Sequence, residues 1–535
     1  MPELVVCRVF HRVAALLTVA GLSASACSGN DPHQGALYEP PPNPAAEGAV
    51  TAELTPESTV QATSEADPLP KAEPETEPEP DITPVAEPEG PVPAPLAFRD
   101  CGQVYRCAEL EVPADHANPG AGTVTLELGL LSGGNPGTRI GVLLVHRGGP
   151  GGDMSDFLGR GAHLTPRVLA RFDIVAWNQR GVMGSVPHDC REEAEHLSLL
   201  DQSPDTPEEQ AAADDAFRET ADACVGSLGE NASLIGTTQT VNDMDLIRQA
   251  LGEEQISYLG FSYGSLLGLH YADRYGPHLR AIVVDGVVDP ALSNEEFLVG
   301  QKKGLARVID DLFDNCRQDP DCPIPGDPAE AVEELAMRVE KEPLLDVQGN
   351  VLVGPGEVRL ALLSATYDFD AWPVFYLGVA RAFEGHGLML STLATRFLER
   401  VDRGSFLSIR CADVGRMSQP EVERLNQRLN ETSSEISWIW GTFTAVCQYW
   451  PETEPLPVGP IRAPEASSVL VVGNRGDNAT PYEWAVSAAA SLDNGVLLTY
   501  NGQEHASYRR HPCVTQVVDD YLIDLVLPSS DIECG

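Results

Sequence analysis

The chain has little positive charge: 35 Lys and Arg stand against 80 Asp and Glu in 535 residues, a formal net charge of −45. A surface so acidic repels phosphate backbones and anionic headgroups, which argues against nucleic acid as a partner and against membrane binding through a basic face. The twelve cysteines form no Cys-x-x-Cys pair and none sits beside clustered histidines, the spacings a metal site wants, so neither metal nor cofactor is expected. No internal repeat is visible. The leading apolar run, Val13 to Leu22, is shorter than the roughly 20 residues a membrane helix needs.

That run has a different use. Arg8 and Arg12 precede it, and Ala24-Ser25-Ala26-Cys27 follow. A basic start, a short apolar core and small residues read as an export signal over residues 1–27. Ser-Ala-Cys resembles a bacterial lipobox, in which Cys27 becomes the lipidated first residue of the mature chain. Ala24 stands where leucine is usual, and an ordinary signal peptide cut near Ala26 is the alternative. Membrane contact is then through an N-terminal lipid anchor only, and the protein is exported to the periplasmic face or cell surface, or is secreted. Ten cysteines remain beyond Cys27, an even number that suits disulfides in an oxidising compartment, although spacing leaves their connectivity open.

Residues 28–97 are rich in Pro, Glu, Ala and Thr, with fourteen acids and a single base, Lys71. They hold too few large apolar residues for a core, and like-charge repulsion with proline favours an extended spacer. From residue 98 the composition becomes globular. GVLLV (141–145), FDIVAW (172–177), ISYLG (256–260) and AIVVDG (281–286), then SSVLVVG (467–473) and GVLLTY (495–500), read as buried strands alternating with helices. That pattern predicts a mainly parallel sheet with helices on both faces. Residues 98–290 and 441–535 supply this core. Residues 291–440 are mostly helical in pattern and read as an inserted lid.

Gly260-Phe261-Ser262-Tyr263-Gly264 is the centre of the functional reading. Gly-x-Ser-x-Gly is common by chance, but here it follows an apolar strand and opens the helix SLLGLHYADRY. A nucleophile elbow needs that strand–turn–helix setting, with small residues where helix and strand pack closely. A helix N-terminus also favours developing negative charge. The alternative is a glycine-rich turn with an N-capping serine. A serine nucleophile needs a base and an oxyanion hole. Arg147-Gly148-Gly149-Pro150-Gly151-Gly152 follows the strand GVLLVH, and it lacks the Lys-Ser/Thr ending of a phosphate-binding loop. Gly148 or Gly149 and the residue after the nucleophile, Tyr263, are the expected oxyanion donors. Chain order in such sites is serine, acid, histidine. Asp477 in VLVVGNRGDNATP and His505 in LLTYNGQEHAS each lie just past a strand. Asp493, His511 and His270 are the substitutes.

Together GGPGG, FDIVAWNQRG, the run TTQTVNDMDLIRQALGEEQISYLGFSYGSLLGLHYADRYGPHLRAIVVDGVVDP, SIRCADV, GDNATP and the C-terminal PCVTQVVDDYLIDLVLPSSDIEC resemble the secreted tripeptidyl aminopeptidase family. Its members are related to proline iminopeptidases and are α/β-hydrolases with a characteristic C-terminal segment; the likeness spans about Phe98 to Gly535. The resemblance implies acyl-enzyme cleavage of short N-terminal units from peptides, with Ser262, Asp477 and His505 as triad. It also implies disulfides Cys101–Cys107, Cys190–Cys224, Cys316–Cys322, Cys411–Cys447 and Cys513–Cys534. Asn178, Met183 and Arg147 depart from the family pattern at the loops around the pocket. An aminopeptidase further needs a carboxylate for the substrate's ammonium, for which Glu295, Glu296 and Asp413 are candidates. An esterase or amidase of a non-peptide substrate would use the same triad, and a non-catalytic binding protein on this scaffold would need none of it.

Overall fold

The computed structural model describes residues 93–133, 137–159, 163–200, 204, 206–432, 443–528 and 532–535. The leader, Cys27 and the spacer up to residue 92 lie outside the described residues. The spacer's last residues are already fixed to the core: the Leu96 N–H donates to the Ala250 carbonyl at 3.1 Å.

A ten-stranded sheet organises the fold. Its strands are β1 (Arg99–Asp100), β2 (Arg106–Pro113), β3 (Thr123–Leu131), β4 (Gly141–His146), β5 (Phe172–Trp177), β6 (Ile256–Phe261), β7 (Leu279–Asp285), β10 (Val469–Asn474), β11 (Gly495–Tyr500) and β12 (Ile532–Cys534). They lie in the order β1-β2-β3-β5-β4-β6-β7-β10-β11-β12. Pairing is antiparallel from β1 to β5 and parallel from β5 to β12. Sequence reading finds the parallel strands because sheets covered on both faces need near-continuous apolar runs; every residue of β4 and β10 is buried. It does not single out β2, which alternates toward solvent, or the three-residue β12.

Alternate residues of each central strand feed two separate apolar clusters. Leu144, Tyr258, Ile282 and Val471 pack with the helices Thr237–Ala250 and Tyr263–Tyr275. Leu143, Leu259, Val283 and Val472 pack with Met154–Leu158 and Pro512–Asp524 on the other face. Period-two side-chain alternation thus produces the sandwich of helix, sheet and helix.

Between β7 and β10 the chain leaves the sheet. Among the described residues it forms seven α-helices, from Asn294–Gln318 to Gln419–Thr432, and a two-stranded ribbon, β8 (Leu344–Leu345) and β9 (Val351–Val353). Ser293 and Glu296 close a capping box at the start of this insertion. The insertion has its own core, around Leu305, Leu312, Leu335, Leu360, Phe375 and Leu390. Its helix Arg403–Val414 joins the main core instead, through Leu407, Ile409 and Ala412.

The ten cysteines form five disulfides, in the pairs the resemblance implies. Such crosslinks typically stabilise by about 2–4 kcal/mol each and point to an oxidising compartment. Among the described residues the one His/Cys/acid group close enough to share an ion, His511 with Cys513 and Cys534, has both sulfurs in a disulfide. No helix among them is long and apolar enough to cross a membrane.

Candidate active site

β6 ends at Phe261 and the next helix starts at Tyr263, so Ser262 alone makes the turn. It does so at φ 55°, ψ −123°, a conformation that costs a non-glycine residue about 1–3 kcal/mol. The surroundings hold it. Its N–H donates to the Asp285 carbonyl at 3.0 Å, and its own carbonyl accepts from the Ser265 N–H at 2.8 Å. Glycine is required on both sides: a Cβ on Gly260 would lie 2.2 Å from the Gly264 carbonyl oxygen, and one on Gly264 would lie 2.6 Å from that of His146.

Asp477 and His505 follow β10 and β11, neighbouring parallel strands. His505 Nδ1 lies 2.9 Å and 3.0 Å from the two Asp477 oxygens. Asp477 is fully buried and is fixed by the N–H groups of Ala479 and Thr480 at 2.8 and 2.9 Å and by the Thr480 hydroxyl at 2.9 Å. The Tyr367 ring meets the His505 ring edge-on at 5.8 Å. Asp285, the last residue of β7, ties the two halves together. Its carbonyl holds Ser262, while its carboxylate accepts from the N–H groups of Ser507 (3.0 Å) and Tyr508 (2.8 Å) in the His505 loop. Burial raises this carboxyl to about 6 against the lowering effect of those two donors. In the sequence AIVVDG reads only as a strand; an aspartate closing an otherwise apolar strand is the available signal.

The glycine loop lies against the elbow: a Cβ on Gly148 would be 2.5 Å from the Phe261 carbonyl oxygen and 2.9 Å from Ser262 Cβ. The Gly148 N–H donates to His146 Nδ1 at 3.1 Å. Burial lowers that histidine to about 3, so it is a neutral acceptor. Of the two candidate donors, Gly149 is the one that lines the cavity at Ser262, together with Tyr263.

The substitutes lie elsewhere. Asp493 pairs with Arg462 at 2.9 Å. His511 stands against Tyr500. His270 is lowered to about 4 by burial and does not line the cavity. Of the three departures, Asn178 fastens the helix that follows the glycine loop to the sheet by accepting from the Met154 N–H at 2.9 Å and donating to Glu127. Met183 is exposed on the surface. Only Arg147 reaches the cavity.

That cavity has two chambers sharing Ser262 and His505: an inner one of about 160 Å³ and an outer one of about 760 Å³. None of the proposed ammonium acceptors lines either. Glu295 faces Arg428, Glu296 caps its helix with Ser293, and buried Asp413 binds the Thr237 N–H and hydroxyl at 2.6 and 2.7 Å. The inner chamber is instead lined by Arg147, Arg400, Arg403 and Arg410. Of these, sequence alone singles out only Arg147; Arg410 lies in SIRCADV, where nothing local marks its charge.

Residues 141–353 match the family model described as the α/β-hydrolase fold, and residues 434–534 match the one described as TAP-like protein. The chain is 31% identical over 460 residues to carboxylesterase B of Mycobacterium tuberculosis, covering 80% of this chain and 86% of the relative. It is 29% identical over 461 residues to serine protease Hip1 of the same organism (80% and 87%), and 27% identical over 469 residues to tripeptidyl aminopeptidase of Streptomyces lividans (83% and 87%). A parallel sheet with an elbow serine defines a serine hydrolase. The chain belongs to the α/β-hydrolases that carry a TAP-like C-terminal segment.

Proposed function

We propose that the protein is a serine exopeptidase that releases short N-terminal units from peptides through an acyl-enzyme on Ser262. One observation carries the acyl-enzyme step: a strained serine at a strand–helix turn faces the same cavity as a histidine whose Nδ1 is held by a buried aspartate. Ser262 Oγ attacks the scissile carbonyl as His505 takes its proton; Asp477 keeps the tautomer and stabilises the imidazolium. The N–H groups of Gly149 and Tyr263 hold the oxyanion. The tetrahedral intermediate collapses, His505 protonates the leaving amine, and water then releases the acyl group by the same steps. The helical insertion, residues 291–440, acts as the lid over a core formed by 98–290 and 441–535. The relatives named as a peptidase and a protease support the peptide substrate; the relative named as an esterase supports the second reading, an esterase or amidase.

Chromogenic tripeptidyl amides with free and acetylated N-termini, assayed beside simple esters, separate these readings. The exopeptidase cleaves the free amides and loses them on acetylation. Turnover of esters alone overturns it. The leader 1–27 and spacer 28–97 support an exported protein anchored by lipid at Cys27. Mass spectrometry of the mature N-terminus tests this, and an unmodified start elsewhere refutes it.

A further inference from the structure

In a chain with more than twice as many acids as bases, four guanidiniums converge on one small chamber that has no Asp or Glu among its lining residues. Two buried arginines elsewhere pair with carboxylates, Arg180 with Asp243 and Arg248 with Asp245. In the chamber Arg147 pairs with Asp156, but no ion pair among the described residues engages Arg400, Arg403 or Arg410. Neutral groups hold these three. Arg400 lies 4.4 Å over the Tyr367 ring and Arg403 4.7 Å over Phe397, whose carbonyl it also donates to at 2.8 Å. Arg410 lies 4.5 Å over Phe297 and donates to Asn294 at 2.9 Å.

Aromatic faces and amide oxygens fix the plane of a guanidinium without cancelling its charge. The Nε atoms of Arg403 and Arg410 are buried with no partner. Asp413, near Arg410, has its oxygens engaged by Thr237. Burial brings Arg403 down to about 10 and lowers Arg400 and Arg410 as well. Arg410 is buried, Arg403 half-buried and Arg400 exposed; Asp413, Glu195 with Asp402, and Asp368 respectively act on them through the field without forming an ion pair. A buried cation without a paired anion is costly to hold, and a carboxylate matches the guanidinium fork. The segment is also anchored beside the nucleophile, since the Asp402 N–H donates to the Gly151 carbonyl of the glycine loop at 3.2 Å.

We propose that the inner chamber receives an acidic acyl group: the residue whose carbonyl Ser262 attacks carries a carboxylate, Asp or Glu in a peptide, held by Arg403 and Arg410 with Arg400 where the two chambers join. This rests on the reading of Ser262 as nucleophile and narrows it. A positive chamber without acids repels an ammonium, whereas the outer cavity sets Asp156, Asp368 and Glu399 among its arginines, so the free amino end of the acyl unit lies toward the outer cavity and the released unit is longer than one residue.

The test compares Ala-Ala-Glu and Ala-Ala-Gln p-nitroanilides, equal in shape and leaving group, on the wild-type protein. The Glu substrate is expected to have kcat/KM about tenfold or more above the Gln substrate, the scale of a buried charge-assisted hydrogen bond. In Arg403→Gln and Arg410→Gln that ratio falls toward one. Equal rates, or a preference for Gln, in the wild type overturn the proposal, and that comparison needs no variant to fold. Ala-Ala-Gln-Ala with a free or amidated C-terminus gives the second arm: if rate follows that carboxylate instead, the arginines serve the leaving side and the acyl assignment is wrong. Labelling of Ser262 by a phosphonate without Glu/Gln discrimination defeats this inference alone. Absence of labelling defeats the reading beneath it.

Discussion

The parallel half of the sheet and the helical insertion meet at one cavity and bring different things to it. The sheet brings Ser262, Asp477 and His505, each just past a strand of the parallel sheet, so their spacing is set by main-chain ladders that side-chain changes hardly move. The insertion brings Gln301, Tyr367 and Phe397, carried on helices with a separate apolar core, and Arg403, whose helix packs into the main core. Backbone geometry places the proposed reacting groups, whereas helix packing places most of the insertion's groups that line the cavity. One region can therefore be rebuilt without relocating the other's contribution.

The largest effect expected to sharpen this contrast is on the sheet side. Ser262→Ala should lower kcat by about 10⁶-fold and Asp477→Asn by about 10⁴-fold through the wrong tautomer, with substrate binding largely retained. Steady-state kinetics and equilibrium binding on the same preparations check both.

A smaller effect tests the insertion. Leu335 is fully buried in its core, and Leu335→Ala should cost about 2–5 kcal/mol of stability by leaving a cavity. If the two regions divide the labour as described, this variant raises KM for peptides while a small phosphonate still labels Ser262 at the wild-type rate. Equal loss of both breaks the comparison. Denaturant unfolding supplies the stability figure.

The smallest is on Asp285. Burial raises its carboxyl from the ordinary 3.8 to about 6. Because the folded-state value lies above the unfolded one, folding takes up a proton between about pH 6 and pH 4. The penalty for burying this charge is thus full above pH 6 and gone below about 4, at most about 3 kcal/mol. Wild type should gain stability relative to Asp285→Asn as pH falls through that window. A pH-independent difference between the two contradicts the assignment.

The same division decides what could be read from sequence. The elbow demands glycine at 260 and 264 by close approach, and buried strands demand apolar runs, so chemistry and sheet leave local signatures. Asp477 and His505 were legible through order along the chain and position past strands. Arg400, Arg403 and Arg410 left no signature: Arg403 and Arg410 stand two turns apart on one helix, a spacing that ordinary solvated arginines share. Asp285 left a faint one. The choice of Gly149 over Gly148 depended on a hydrogen bond to His146 that no motif encodes.

The central claim is that Ser262 is the nucleophile. A fluorophosphonate allowed to react with the intact protein, followed by peptide mapping, tests it most directly. The account predicts a single adduct, on Ser262, lost in Ser262→Ala and slowed in Asp477→Asn. An adduct on any other residue, or none on a folded protein that still turns over substrate, contradicts it.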